Sequence, residues 1–143
     1  MSDPTPHHVG VTVSDLDRAV DFYTETFDLD VAAEFAVGGE AFADAVAVEG
    51  AAAEFAHLVA DGEDTRTIIE LVAYDPEGEA APDPVLNRPG AIHLGLSVGD
   101  VGEFYRELDD DVKTLSEPRT TESGTTILFV VDPDGNLIEV LDA

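Results

Sequence analysis

One short sentence occurs twice in this chain. His8-Val-Gly-Val-Thr-Val-Ser-Asp-Leu16 reads HVGVTVSDL, and His93-Leu-Gly-Leu-Ser-Val-Gly-Asp-Val101 reads HLGLSVGDV. Each copy opens on a histidine, alternates apolar and small or polar residues, and ends on a small residue followed by Asp. Alternation with a period of two marks a strand with one buried face. A second echo closes each half. Thr67-Ile-Ile-Glu70-Leu-Val and Asn136-Leu-Ile-Glu139-Val-Leu each set one glutamate inside an otherwise apolar strand. A spacing of about 80 residues, met only twice, is too long and too sparse for a solenoid. It points to duplication of one module.

The elements between the echoes repeat as well. After the strand at His8–Val13, Ser14 reads as a helix N-cap, with Asp17 as an imperfect capping box. Leu16, Ala19, Val20, Tyr23 and Phe27 then form one apolar helical stripe. Strands are expected near 29–35, 42–48, 54–59 and 67–74, with turns at Gly38-Gly39, Gly50 and 61–64. Residues 75–90 carry Pro76, Pro82, Pro84 and Pro89 with Gly78 and Gly90, and read as a linker. The pattern then restarts. A strand at 92–98 is followed by the cap Asp100 and a stripe of Val101, Phe104, Tyr105 and Leu108. Strands near 113–115, 125–131 and 137–141 come next, the last two joined by the turn Asp132-Pro133-Asp134-Gly135. Each half reads as a strand, a helix and two or three strands. The expectation is one α+β domain over 1–143: a βαβββ module at 5–74, a linker at 75–90 and a second module at 91–143.

A lone carboxylate inside an apolar strand costs several kcal/mol to bury, so Glu70 and Glu139 need a partner or a cation. His8 and His93 open the matching strands. Two imidazoles and two carboxylates suit one divalent ion, and the hard oxygen and borderline nitrogen donors fit Zn, Ni, Co, Mn or Fe(II). Two carboxylates would balance the charge of such an ion, and octahedral coordination would leave two positions for water or substrate oxygens. His7 aligns with Ile92 rather than with a histidine, and alternation turns it to the opposite face. His57, in Phe-Ala-His-Leu-Val, has no counterpart and reads as a surface or pocket-rim residue.

Composition narrows the partners. The chain has 32 acidic and 6 basic residues, a net charge of −26, and Lys113 as its only lysine. No basic patch is available for nucleic acid, and anionic membranes are disfavoured for the same reason. Acid spread along the whole chain with so little lysine fits a protein adapted to molar salt. There is no cysteine, so disulfides, thiolate metal ligands and a cysteine nucleophile are excluded. No apolar run approaches the roughly 20 residues of a membrane span. No basic stretch followed by an apolar one opens the sequence, so a cytoplasmic location is expected.

These motifs together resemble the vicinal oxygen chelate superfamily, which includes glyoxalase I, methylmalonyl-CoA epimerase, extradiol dioxygenases, and fosfomycin and bleomycin resistance proteins. The resemblance is carried by HHVGVTVSDLDRAVDFYTETF from His7 to Phe27, IIELVAY from Ile68 to Tyr74, IHLGLSVGDV from Ile92 to Val101, and GTTILFVVDPDGNLIEVLD from Gly124 to Asp142. It implies paired βαβββ modules curling into an open, incomplete β-barrel around one divalent metal. It also implies metal ligation by His8, Glu70, His93 and Glu139, a set like that of the glyoxalase I branch. The implied reaction is that of a lyase or isomerase. The metal chelates neighbouring substrate oxygens and stabilises an enediolate, while Glu139, or Glu70 as second candidate, moves the proton beside the carbonyl. The resemblance leaves two alternatives, a non-haem Fe(II) extradiol-type dioxygenase and a non-catalytic binding or resistance protein. It further implies a small-molecule substrate and a homodimer, and leaves any thiol cofactor unspecified. Thr12 stands where glutathione-type enzymes commonly carry an arginine, which weighs against a glutathione conjugate and against the phosphates of CoA. Arg18 reads as a helix-surface residue, while Arg66, Arg88, Arg106 and Arg119 remain as cations for a pocket.

Overall fold

The structure is a computed structural model that describes residues 3–60, 67–80, 83 and 85–142. The turn expected at 61–64, Arg66, Pro82 and Pro84 lie outside the described residues. The chain divides into two compact units, Met1–Ala80 and Ala81–Ala143.

The first unit runs β1 (His8–Thr12), α1 (Leu16–Phe27), β2 (Leu29–Val37), α2 (Glu40–Val46), β3 (Ala52–Ala60) and β4 (Ile68–Asp75). Its sheet has the order β1-β4-β3-β2, with β1 parallel to β4 and the other pairs antiparallel. The second unit runs β5 (Leu94–Ser97), α3 (Val101–Glu107), β6 (Lys113–Thr114), β7 (Arg119–Thr120), β8 (Thr126–Val131) and β9 (Leu137–Asp142). Its order is β5-β9-β8-β6, with β5 parallel to β9 and β7 also paired to β8. Since β9 occupies one edge of β8, β6 and β7 share the other. They are two pieces of one edge strand, interrupted at Ser116-Glu117-Pro118, where Pro118 has no N–H for a ladder. The two sheets therefore repeat one βαβββ topology, and α2 is an addition to the first. The fold class is α+β, with two open sheets.

In both units the helix covers one face of the sheet. The helix α1 packs on β2, β3 and β4. Its Ala19 and Tyr23 are buried, as are Ala56 and Leu58 of β3 and Ile69 and Leu71 of β4. Each large apolar side chain so buried contributes roughly 1.5–3 kcal/mol. In the second unit α3 packs on β8 and β9. The buried residues there are Val101, Leu128, Val130, Ile138 and Val140. Alternation puts His57 and Glu70, and likewise Phe129 and Glu139, on the opposite face of each sheet.

Several local expectations are corrected. The strand expected at 42–48 is the helix α2. Alanine at 41, 43 and 45 favours helix, and Phe42 and Val46 share a helical face at i and i+4. The cap of α1 is Asp15 rather than Ser14, and its carboxylate accepts the Arg18 N–H at 3.0 Å. Ser14 Oγ instead accepts from the Arg18 guanidinium at 3.1 Å. Asp100 caps α3 as expected, accepting from Glu103 N–H at 2.9 Å. The strand expected at 92–98 is shorter, so Ile92 and His93 stand just ahead of β5. The turn after β8 forms as expected. Buried Asp132 accepts from the backbone N–H groups of Asp134 and Asn136 and from the Asn136 side chain, at 2.7–2.9 Å.

Candidate functional site

The ladder registers carry the duplication down to single residues. In the first unit Gly10 of β1 stands beside Glu70 of β4. In the second, Gly95 of β5 stands beside Glu139 of β9. Each histidine lies two residues before its glycine. Alternation within β1 puts His8 on the side of Glu70, and His93, just ahead of β5, reaches Glu139 directly. His8 Nε2 is 3.4 Å from Glu70 Oε1. His93 Nε2 is 3.2 Å from Glu139 Oε1. The structure thus brings each predicted histidine to its predicted glutamate within one unit. A Cβ built on Gly10 or Gly95 would meet no atom within 4 Å. These glycines leave open space beside the carboxylates rather than admitting a close neighbour.

The donor chemistry of each pair fits a divalent ion. Two donors about 2.1 Å from one ion and at right angles stand about 3.0 Å apart. Separations of 3.4 and 3.2 Å are close to that, with nitrogen and carboxylate oxygen as the two donors. The histidine side chains are 39% exposed and those of the glutamates 16% and 22%, so each pair is partly open to solvent. Among the described residues no group of three or more His, Asp or Glu is arranged to hold an ion by itself. Each unit supplies a pair.

The first unit adds a residue that the sequence reading set aside. Expected at the surface or at a pocket rim, His57 has a side chain only 16% exposed. It sits opposite Glu70 in the β3–β4 ladder, and its Nε2 lies 2.7 Å from Glu70 Oε2. Its signal was a lone histidine inside an apolar strand, but pairing it with Glu70 needs the register across the connection after Ala60. The equivalent position in the second unit is Phe129, which stands opposite Glu139. Phe129 meets His93 edge to face, with ring centroids 5.2 Å apart. His7 is exposed, as expected, but its ring is turned to His8 rather than away from it. The two Nδ1 atoms are 2.9 Å apart. His7 lies ahead of β1, so strand alternation does not govern it.

An aromatic wall continues from His57 along the same face. Phe35 meets the His57 ring edge-on at 4.9 Å and stacks on Phe55 at 5.0 Å. Phe42 of α2 and Tyr74 close it, packed against Ala53, Phe55 and Val72. Two surface clefts, of about 610 Å³ at Gly39–Ala51 and about 490 Å³ beside Ile92 and Asn136, lie apart from these side chains. None of His8, His57, Glu70, His93 and Glu139 lines either cleft. Of the candidate arginines, Arg88 lines the second cleft, and Arg119 bonds the Glu117 and Pro118 carbonyls. No helix among the described residues is long and apolar enough to cross a membrane.

Comparison with known proteins agrees with this architecture. The family model described as Glyoxalase/Bleomycin resistance protein/Dioxygenase superfamily matches residues 5–140. A 2-epi-5-epi-valiolone epimerase from Actinomyces sp. is 31% identical over 149 residues, covering 95% of this chain and 78% of the relative. A glyoxalase family protein from Bacillus cereus superposes with a TM-score of 0.82 at 22% identity, over 99% of this chain and 95% of its own. The trypanothione-dependent glyoxalase I of Leishmania major superposes with a TM-score of 0.65 at 26% identity, over 98% and 87%.

Proposed function

Because the chain belongs to the Glyoxalase/Bleomycin resistance protein/Dioxygenase superfamily, we propose that it is a metal-dependent isomerase or lyase that moves a proton beside a carbonyl of a small molecule. The observation that carries this reading is the repeated pair. Glu70 and Glu139 occupy the same register positions of two copies of one sheet, beside Gly10 and Gly95, and each meets the histidine two residues before that glycine. Each pair offers one imidazole nitrogen and one carboxylate oxygen, and the repeat makes His8, Glu70, His93 and Glu139 the proposed ligands of a divalent ion.

Such an ion supplies Lewis acidity toward the carbonyl and its neighbouring oxygen. The chain's own residues do the rest. His8 presents Nε2 when its other nitrogen carries the hydrogen, and His7 Nδ1, 2.9 Å from His8 Nδ1, accepts that hydrogen. Glu139 takes the proton from the carbon next to the carbonyl and returns it. Return by Glu139 to the neighbouring carbon isomerises the substrate, whereas inversion of configuration requires a proton from a second donor on the opposite face. The rings of Phe35, Phe55 and Phe42 extend an apolar surface from His57, the neighbour of Glu70. The relative named as an epimerase supports an isomerase over an oxidative reaction.

The test is carbon-bound hydrogen exchange in D₂O, followed by NMR. Cobalt-loaded protein in molar KCl is given 2-epi-5-epi-valiolone, small α-hydroxy ketones and hemithioacetals of 2-oxoaldehydes. The reading expects exchange beside the carbonyl of at least one substrate, abolished in Glu139→Gln. No exchange with any substrate, or full exchange in Glu139→Gln, contradicts it.

A further inference from the structure

The two glutamates are equivalent by register but not by surroundings. Glu70 accepts from His57 Nε2 at 2.7 Å through Oε2, while its Oε1 faces His8. A carboxylate has no hydrogen to give, so the imidazole carries it at Nε2. The His57 ring is itself held. It is 16% exposed, edge-packed against Phe35, and stacked over the His8 ring at 6.4 Å between centroids. In the second unit the same ladder position is Phe129, which has no donor to offer Glu139. Among the described residues, the side-chain partner of Glu139 is His93.

Resting on the metal reading above, we propose that His57 is a positioning residue that fixes Glu70 as a one-oxygen ligand, and that Phe129 withholds the same restraint from Glu139. A ligating carboxylate whose second oxygen is hydrogen-bonded keeps its orientation when the ion is absent and resists displacement when it is present. One whose second oxygen has no hydrogen-bond donor has no such hold. The duplicated sheet thereby divides two identical side chains into an anchored ligand and a releasable one. Only the releasable one is free to turn toward a substrate carbon.

Cobalt(II) titration of the full chain in molar KCl tests this, read by calorimetry and by the visible absorption of the bound ion. His57→Phe copies the second unit, His57→Leu removes the donor with less bulk, and His57→Gln keeps an N–H able to reach the same oxygen. Both donor-free variants should bind Co²⁺ about 10–100-fold more weakly, with a changed visible spectrum. His57→Gln should recover most of the affinity and the native spectrum. Phe129→His should not weaken binding. Native affinity and spectrum in whichever donor-free variant folds would overturn the proposal, as would a Gln variant as weak as the Leu variant. A native protein that binds no Co²⁺ would overturn the metal reading itself. Native binding that is indifferent to position 57 would overturn only the role of His57.

Discussion

A strand glycine is unfavourable unless its missing side chain matters. Gly10 and Gly95 stand beside Glu70 and Glu139, and a Cβ at either would touch nothing within 4 Å. Their value is therefore the space they leave over the carboxylates. Gly95→Val should keep or raise the thermal midpoint, because valine suits a strand. It should also slow hydrogen exchange of substrate at least about tenfold by displacing the substrate from Glu139. A variant with unchanged exchange would show that this space is not used. The same scale shows what was legible beforehand. The meeting of His8 with Glu70 and of His93 with Glu139 could be read because the pair occurs twice in the same setting. His57 could not, because its meaning lies in a pairing across β3 and β4 that no local pattern reports. The cap Asp15 was legible in principle. It aligns with Asp100 in the repeat, whereas Ser14 aligns with Gly99.

At the scale of elements, the turn after β8 sets the geometry around the second pair. Asp132 closes the connection that lays β9 against β8, and so sets which β8 residue faces Glu139. Its buried carboxylate accepts three hydrogen bonds. Asp132→Ala should lower unfolding stability by about 2–3 kcal/mol, because the turn's donors lose a buried, charged acceptor. Urea unfolding in molar KCl measures this, and a loss within about 0.5 kcal/mol, the range of an ordinary surface substitution, would contradict it. The helix α2 ends on Ala47 at φ 57°, a left-handed conformation that an alanine side chain resists. Ala47→Gly should stabilise the protein by about 1 kcal/mol. Ala45→Gly, two residues earlier inside the helix, should destabilise it by about 1 kcal/mol. Equal signs for the two would remove the argument. The helix itself escaped the sequence reading because a short alanine-rich run with spaced apolar residues satisfies both periods. Gly39 and Glu40 at its start were the better guide.

At the scale of the whole molecule, charge and site act together. A net charge of −26 repels itself at low ionic strength and favours the unfolded chain. The screening length falls from about 10 Å at 0.1 M salt to about 3 Å at 1 M. The thermal midpoint should therefore climb steadily from 0.1 M to molar KCl, and a flat profile would contradict salt adaptation. The same field attracts divalent cations and repels anionic substrates, in keeping with the absence of an arginine at Thr12. The central proposal is that His8, Glu70, His93 and Glu139 are ligands of a divalent ion. Metal analysis of the chain, of His8→Ala and of His93→Ala, each prepared in molar KCl and titrated with Co²⁺, tests it most directly. The account predicts one ion per chain in the native protein and loss of tight binding in both variants alike. Absence of binding in the native protein, or retention of one tight site when either histidine is removed, would contradict it.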